Sequence, residues 1–300
     1  MSTTRGQFAQ LLAPGLHNII YEDLDAQPEE YSQIFNVGPS QRAYEEEILM
    51  AGLGAMPTKP EGEVIKMDDP IQGGSFRLTH QSYALGFQVT REMYTDDMYG
   101  KIKQVAGDFS ASIKQTVEAT AANILTAGFT PTTGTITVDG VNLFNTAHPL
   151  LNGQTYSNRS ATDISFSVAG MQELILLAEK SINERGLIKR LVPTTLVIPP
   201  DLQYITGEVL NSAYKPGTGN NEVNVMQGRL DPIMNHYLTS KTQWFVLAAK
   251  NRHNLQFFWR EQPQFDTQDD FFTKGANYST FCRFSVGCWY WHGAFGSNGA

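Results

Sequence analysis

The stretch REMYTDDMYGKIKQVAGDFSASIKQTVEATAANILTA, residues 91–127, carries the clearest periodic signal in this chain of 300 residues. Its apolar side chains recur every three or four residues, as one face of a helix requires. They are Met98, Ile102, Val105, Phe109, Ile113, Val117 and Ile124, with Thr120 filling one gap. Thr90 suits the N-cap and Gly128 suits the stop. The pattern predicts a helix of about 55 Å, which at that length is a framework element.

Downstream of this helix, signals for helices and strands alternate. Ser167 can cap a helix that closes at Gly186, the strand TTLVIP follows at 194–199, and Pro199 and Pro200 open a second helix. Residues 241–300 are rich in aromatic and β-branched runs. The sequence therefore predicts an α+β fold in which an α/β-like lobe is inserted between the β segments of another lobe.

Upstream, residues 1–57 show scattered apolar anchors without a sustained period. Residues 58–90 favour a long hairpin, with an outgoing strand at 64–67, a turn through DDPIQGGS at 68–75 and a returning strand over 76–89. An isolated two-stranded ribbon is marginal in water. If this hairpin projects from the body, a partner must cover it.

The charge balance argues against a dedicated nucleic-acid binder. The net charge is −8, from 22 basic and 30 acidic residues, and no dense basic footprint is present. Residues 21–50 hold eight acidic residues against Arg42 alone. This segment is either a solvated acidic stretch, or an arm that docks on a neighbouring subunit or repels nucleic acid from one face.

Motifs that would indicate enzymatic chemistry do not appear. The sequence contains no P-loop, no GxSxG elbow and no paired metal-ligand spacing among its six histidines. His148 could serve as a base only with partners that the sequence does not reveal, so it is better interpreted as a residue that orders a turn beside Pro149. We predict no catalytic site, no cofactor and no metal.

The remaining features concern the compartment. Cys282 and Cys288 lie about 20 Å apart if their run is one extended strand, too far for a disulfide, which predicts two reduced, buried thiols. The N-terminus lacks the basic start and apolar run of a signal peptide. No apolar run reaches 18 residues, so no membrane span is predicted.

Three segments together resemble a known family. They are NLFNTAHPLLNG at 142–153, SNRSATDISFSVAGMQELILLAEKSINERG at 157–186 and PTTLVIPPDLQYITGEVLNS at 193–212. In combination they resemble the major capsid proteins of tailed bacteriophages, and most closely the Mu-type major head subunit. The resemblance implies the capsid fold named after coliphage Hong Kong ninety-seven.

That fold assigns a role to each part of the chain. The implied parts are an N-terminal arm (1–57), an extended loop hairpin (58–90), a peripheral domain with the spine helix (91–150), an inserted axial domain (151–240) and the return strands of the peripheral domain (241–300). The loop at 213–221 would form the axial tip. Nine residues would then lie at subunit interfaces: Glu45, Glu46, Glu47, Lys66, Phe76, Arg77, Tyr83, Tyr214 and Lys215.

The resemblance also implies partners. The subunit would assemble with itself in hexamers and pentamers, in the host bacterial cytoplasm, into the icosahedral shell of a virion. A separate scaffold protein, a portal, decoration proteins and weakly contacted double-stranded DNA are the expected companions. Two alternatives stay open: an encapsulin-type nanocompartment shell of the same fold, and a hydrolytic enzyme with a site near His148.

Overall fold

The structure, a computed structural model, describes residues 28–90, 92–93, 96, 100–215, 222–270, 272–273 and 275–299. The α-helices within these ranges are α1 (Tyr31–Ile34), α2 (Lys101–Thr126), α3 (Val168–Glu179) and α4 (Gln203–Asn211). The strands are β1 (Asn36–Pro39), β2 (Tyr44–Ala51), β3 (Ile71–Thr79), β4 (Gln81–Val89), β5 (His148–Pro149), β6 (Thr155–Tyr156), β7 (Pro193–Ile198), β8 (Asp231–Met234), β9 (Trp244–Ala248), β10 (Leu255–Asp269), β11 (Ala276–Cys288) and β12 (Ala294–Ser297). The α+β class is confirmed.

A four-stranded sheet in the order β1-β10-β11-β4 forms one half of the molecule. Helix α2 packs on it through its apolar face, where Phe109 meets Phe87 of β4 at 5.1 Å between ring centroids. The helix side chains Val117 and Leu125 continue this contact into the largest buried core. The long helix and the aromatic strands thus form one unit although they lie far apart in sequence.

The long helix is shorter than its sequence pattern predicts. Helix α2 begins at Lys101, because Gly100 adopts a left-handed conformation with φ of 66° that interrupts any continuous helix from residue 91. The 26 residues of α2 span about 39 Å, against the predicted 55 Å. Met98 lies outside the described residues, and Val105, predicted on the buried face, is exposed.

A second four-stranded sheet, in the order β12-β9-β7-β8, carries α3 and α4. The predicted cap of α3 is confirmed, since the Ser167 hydroxyl accepts a hydrogen bond from the Gly170 amide. Strands β9 and β12 were expected in the peripheral sheet, but both pair within this sheet. The run Trp244–Ala248 is buried on both faces, so its periodicity carries no information about which sheet it joins. The domain division of the chain otherwise stays a prediction.

The hairpin also differs from its prediction. Strand β2 pairs with β3 in antiparallel register from Tyr44↔Thr79 to Ala51↔Ile71, so the outgoing strand lies in the segment expected to be an irregular arm. Residues 64–67, predicted as that strand, belong to an exposed connecting segment, and 71–75 belong to a strand although a turn was expected there. Returning strand β4 leaves the hairpin and pairs with β11. Of the predicted arm, residues 1–27 lie outside the described residues.

The start of the described chain is anchored to α2 by a buried carboxylate, that of Glu118. The Glu118 carboxylate oxygens accept hydrogen bonds from the backbone N–H groups of Glu30, at 2.8 Å, and of Tyr31, at 2.9 Å. Burial raises the pKa of Glu118, with the two backbone hydrogen bonds acting in the opposite direction. Because Tyr31 and Ile34 are themselves core residues, this contact fixes α1 against the long helix α2.

His148 lies at the junction of the two sheets, fully buried. Its Nδ1 is 2.6 Å from Asp139 Oδ2 and its Nε2 is 3.0 Å from Asn158 Oδ1, while its ring stacks on Trp291 at 4.7 Å. The Asn158 amide nitrogen donates to two backbone carbonyls, so its oxygen faces the histidine. The interpretation of His148 as a residue that orders its turn through both ring nitrogens is confirmed.

Both thiols are free and buried, as predicted. Burial raises the pKa of Cys282 to about 11 and also raises that of Cys288, so both stay protonated at neutral pH. Within the described ranges no helix is long and apolar enough to span a bilayer. The same part of the chain holds no cluster of three potential metal ligands.

The buried histidines predict acid sensitivity. Burial lowers the pKa of His292 from 6.5 to about 3, so folding disfavours its protonation. The stability that depends on neutral His292 is complete above pH 6.5 and is lost as the pH falls from 6.5 toward 3, by about 2 kcal/mol at pH 5. Denaturant unfolding of the wild type and of His292→Gln, at pH 7 and pH 5, measures this loss.

The variant should show a smaller difference between the two pH values than the wild type. Gln keeps a donor for the Ile182 carbonyl, which His292 Nε2 reaches at 3.1 Å. His236→Gln, at a half-exposed position, is the matched control. Equal differences in the wild type and in His292→Gln would contradict the prediction.

Candidate intersubunit interface

The hairpin of β2 and β3 ends in an exposed apolar tip, defined here as residues 55–67. Every residue of the tip is exposed. Four large apolar side chains are among them, Met56 at 95%, Val64 at 92%, Met67 at 86% and Ile65 at 67% of their full accessible area. Large apolar side chains grouped on an exposed segment indicate a surface that meets another molecule.

The paired part of the hairpin behaves differently. One face rests on the body of the same chain, where Leu49 and Leu78 are buried. Tyr290 adds a hydrogen bond from its hydroxyl to the Ile48 carbonyl at 2.9 Å. The chain therefore covers one face of its own ribbon, whereas the outer face, including Met50 at 62%, and the whole tip stay exposed.

Five of the nine predicted interface residues lie together on this ribbon. The register places Glu45 opposite Leu78, Glu46 opposite Arg77 and Glu47 opposite Phe76. Arg77 Nη2 lies 3.4 Å from Glu46 Oε2, and its guanidinium covers the Tyr44 ring at 3.8 Å. These three glutamates thus belong to one strand of a paired ribbon with a partly matched charge. Both interpretations of the acidic segment, a solvated stretch or an arm that docks on a neighbour or repels nucleic acid, stay predictions.

A groove of about 800 Å³ opens beside the root of the ribbon. Its walls include Phe76, Arg77 and Tyr83, together with Thr120 and Asn123 of α2. Tyr83 is fixed there by stacking on Phe284 at 4.7 Å. Three predicted residues thus line a single concave surface between the hairpin, the long helix and the central sheet.

The other predicted residues lie elsewhere. Lys66 is in the exposed tip. Tyr214 and Lys215 flank the loop whose residues 216–221 lie outside the described part, and Lys215 Nζ is 3.6 Å from Glu222 Oε2. The interface role of all nine residues stays a prediction.

The root of the hairpin contains a contact that the sequence did not reveal. Ser40 follows β1, and His80 is the single residue between β3 and β4, so both lie where the chain passes between the central sheet and the hairpin. Ser40 Oγ lies 2.7 Å from Glu45 Oε1 and 2.9 Å from His80 Nε2. Because a carboxylate only accepts, the hydroxyl donates to Glu45 and accepts from the His80 ring.

This contact is structural, not nucleophilic. In a serine nucleophile the histidine accepts the hydroxyl proton, whereas here the hydroxyl proton points to Glu45. Burial lowers the pKa of His80, Glu45 opposes the shift, and Arg283 and Arg260 add to it. We name these three residues, Ser40, Glu45 and His80, the root contact.

Comparison with solved structures defines the class of protein. The mature capsid of bacteriophage PhiM1 matches with a TM-score of 0.59 and 10% identity, covering 90% of this chain and 86% of that one. The procapsid of bacteriophage JBD30 matches with a TM-score of 0.52 and 17% identity, covering 96% and 74%. The JBD30 capsid decorated with minor capsid protein trimers matches with a TM-score of 0.55 and 15% identity, covering 71% and 92%. The chain has the fold of phage capsid shell proteins.

The family follows from the sequence. The model of the phage capsid protein family matches residues 76–295, which include β4, the helices α2 to α4 and the strands from β5 to β11. No curated protein sequence is significantly similar to the chain. The chain belongs to the phage capsid protein family, and the resemblance seen in its sequence is confirmed at that level. The finer likeness to the Mu-type head subunit stays a prediction.

The root contact predicts a measurable loss of stability. Ser40→Ala leaves the His80 Nε2–H and the part-buried Arg42 amide without their acceptor, and the burial of His80 keeps water from replacing it at the ring. We expect a loss of about 1–3 kcal/mol in the free energy of unfolding. Chemical denaturation measures it. Ser75→Ala, at an exposed position of β3, should stay within about 0.5 kcal/mol of the wild type; a similarly small change in Ser40→Ala would refute the role of the contact.

Proposed function

We propose that this capsid protein is the major head subunit, which assembles with copies of itself into the icosahedral shell around phage double-stranded DNA. The exposed apolar tip carries the proposal, because a single subunit leaves residues 55–67 uncovered. A neighbouring copy can cover the tip, and the groove beside α2 is the concave surface that this fold offers for it. Each subunit would then be completed by its neighbours, and closed symmetry would repeat the same contact through hexamers and pentamers.

The charge of the chain fits a shell that holds DNA without binding it tightly. With a net charge of −8, a subunit releases few counterions from DNA, so contacts with the genome are weak and non-specific. The role is structural, without a catalytic site. His148, the one candidate base, is fully buried with both ring nitrogens engaged.

The companions of the subunit belong to the same proposal. A separate scaffold protein and a portal would act during assembly in the bacterial cytoplasm, and the product would be part of the virion. The JBD30 capsid, which has the same fold, carries trimers of a minor capsid protein, and this supports a decoration protein here as well. The phage family match favours a genome-filled head over an encapsulin-type compartment with enzyme cargo.

Assembly should depend on the apolar character of the tip. The double variant Val64→Asp, Ile65→Asp places two charges where a neighbour would bury two apolar side chains, each contributing about 1.5–3 kcal/mol. We expect at least about a tenfold higher critical concentration for shell formation. Light scattering and negative-stain microscopy, with and without a co-expressed scaffold, measure it.

The matched control, Val64→Ile with Ile65→Val, keeps the tip apolar and should assemble normally. Circular dichroism should show all three proteins folded alike, because both side chains are exposed in the subunit. Normal assembly of the charged variant would exclude the tip from the interface. A purified chain that stays a monomer under every assembly condition would overturn the proposed function.

A further inference from the structure

A turn of the inserted half of the molecule reaches the neck of the hairpin, just before the exposed tip. Arg185 Nη2 lies 2.5 Å from both carboxylate oxygens of Asp68, a residue 117 positions away. The same carboxylate accepts the Gly54 amide at 2.7 Å. Asp68 thus joins the two arms of the hairpin to each other and to Arg185. We name these three residues the neck clamp.

The clamp lies where the pairing of the hairpin stops. The last paired residues are Ala51 and Ile71, and Gly54 and Asp68 each lie three positions beyond them toward the tip. A side chain at position 54 would crowd the clamp, since a Cβ there would lie 3.3 Å from Asp68 Oδ2 and 3.5 Å from Arg185 Nη2. The clamp therefore closes the neck immediately below the tip.

Arg185 is held by a preorganised turn. The Asn183 side-chain oxygen accepts the amides of Arg185 at 3.0 Å and Leu187 at 2.8 Å, and Gly186 provides a φ of 80°. The neighbouring Glu184 carboxylate accepts the Leu151 amide, which anchors the turn to the body. The backbone that carries the Arg185 side chain is therefore held in place. The Arg185 side chain is only 16% exposed, against 40% for that of Asp68.

We propose that Arg185 is a positioning residue for assembly: through the neck clamp it fixes the direction in which the tip leaves the body, so that the tip is preorganised for a second copy of this chain. This inference rests on the proposed function. A tip that is free from residue 52 to residue 70 must lose conformational freedom when it binds, whereas a closed neck reduces that cost before binding. The clamp acts on the affinity between subunits, not on the fold of one subunit.

An ordinary surface ion pair contributes little, so the geometry matters here. One guanidinium nitrogen, Arg185 Nη2, contacts both carboxylate oxygens of Asp68, and the Gly54 backbone amide supplies a further hydrogen bond to the same carboxylate. The Arg185 hydrogen bond, followed by that of Gly54, lowers the pKa of Asp68. The chain also offers a comparison pair without such support, Arg229 and Glu179, at 2.6 Å on the same half of the molecule.

The test measures the mobility of the tip and the assembly of the subunits separately. A spin label on Met56→Cys reports the mobility of the tip in the unassembled subunit, and the buried Cys282 and Cys288 do not compete for it. Arg185→Ala and Asp68→Asn should each increase label mobility and, in unlabelled protein, raise the critical concentration by at least about threefold. Arg229→Ala should change neither, and the thermal midpoint of all three variants should stay close to that of the wild type.

The outcomes distinguish this inference from the proposed function. If Arg185→Ala leaves mobility and assembly unchanged, or assembles faster, while the charged tip variant fails to assemble, the clamp proposal is wrong and the tip interface stands. If neither variant impairs assembly, both are wrong. An equal loss of assembly in Arg229→Ala would also overturn the clamp, because the effect would then be that of any surface ion pair. Arg185→Lys should fall between wild type and Arg185→Ala, since lysine keeps the positive charge but carries it on a strongly hydrated ammonium at the end of a more flexible side chain.

Discussion

The structure depends on how one two-stranded ribbon is held. Among the described residues, strands β2 and β3 pair only with each other, and a ribbon of that kind is marginal in water. Three contacts hold it: the root contact where it leaves the central sheet, the buried face with Leu49 and Leu78, and the neck clamp below the tip. Each involves a different part of the chain, so the ribbon has a defined direction only when both sheets are folded.

This arrangement explains why the tip can be apolar and irregular at once. The contacts below the neck fix the ribbon, whereas every one of residues 55–67 is exposed in the subunit. Their side chains can then be selected for a surface that forms only on assembly. The same side chains in a buried position would stabilise the subunit and could not drive association.

The sequence predicted those parts of the fold whose residues interact locally. The Ser167 cap, the Pro200 opening and the periodic face of α2 all act within a few residues, and the structure contains each of them. The predicted hairpin differs from the observed one because residues 64–67 are mostly apolar without being part of a strand, while β2 holds three consecutive glutamates that hide its alternation. Contacts between distant residues, such as Ser40 with His80 and Asp68 with Arg185, left no local signal.

The position of the acidic run illustrates the limit of arguments from composition. The charge count indicates an acidic segment. In the structure, three of its glutamates lie in the paired strand β2, next to Arg77 and the Ser40 hydroxyl. The main role of a carboxylate at such a position is to hold the ribbon in shape. Repulsion of a genome is a secondary role. In a shell of many copies, each small gain in ribbon order is repeated at every interface, and weak local contacts then decide how readily the whole shell opens. In a subunit of this kind, the residues with the largest effect on assembly are therefore those that orient the interface segment, even where they lie outside the interface.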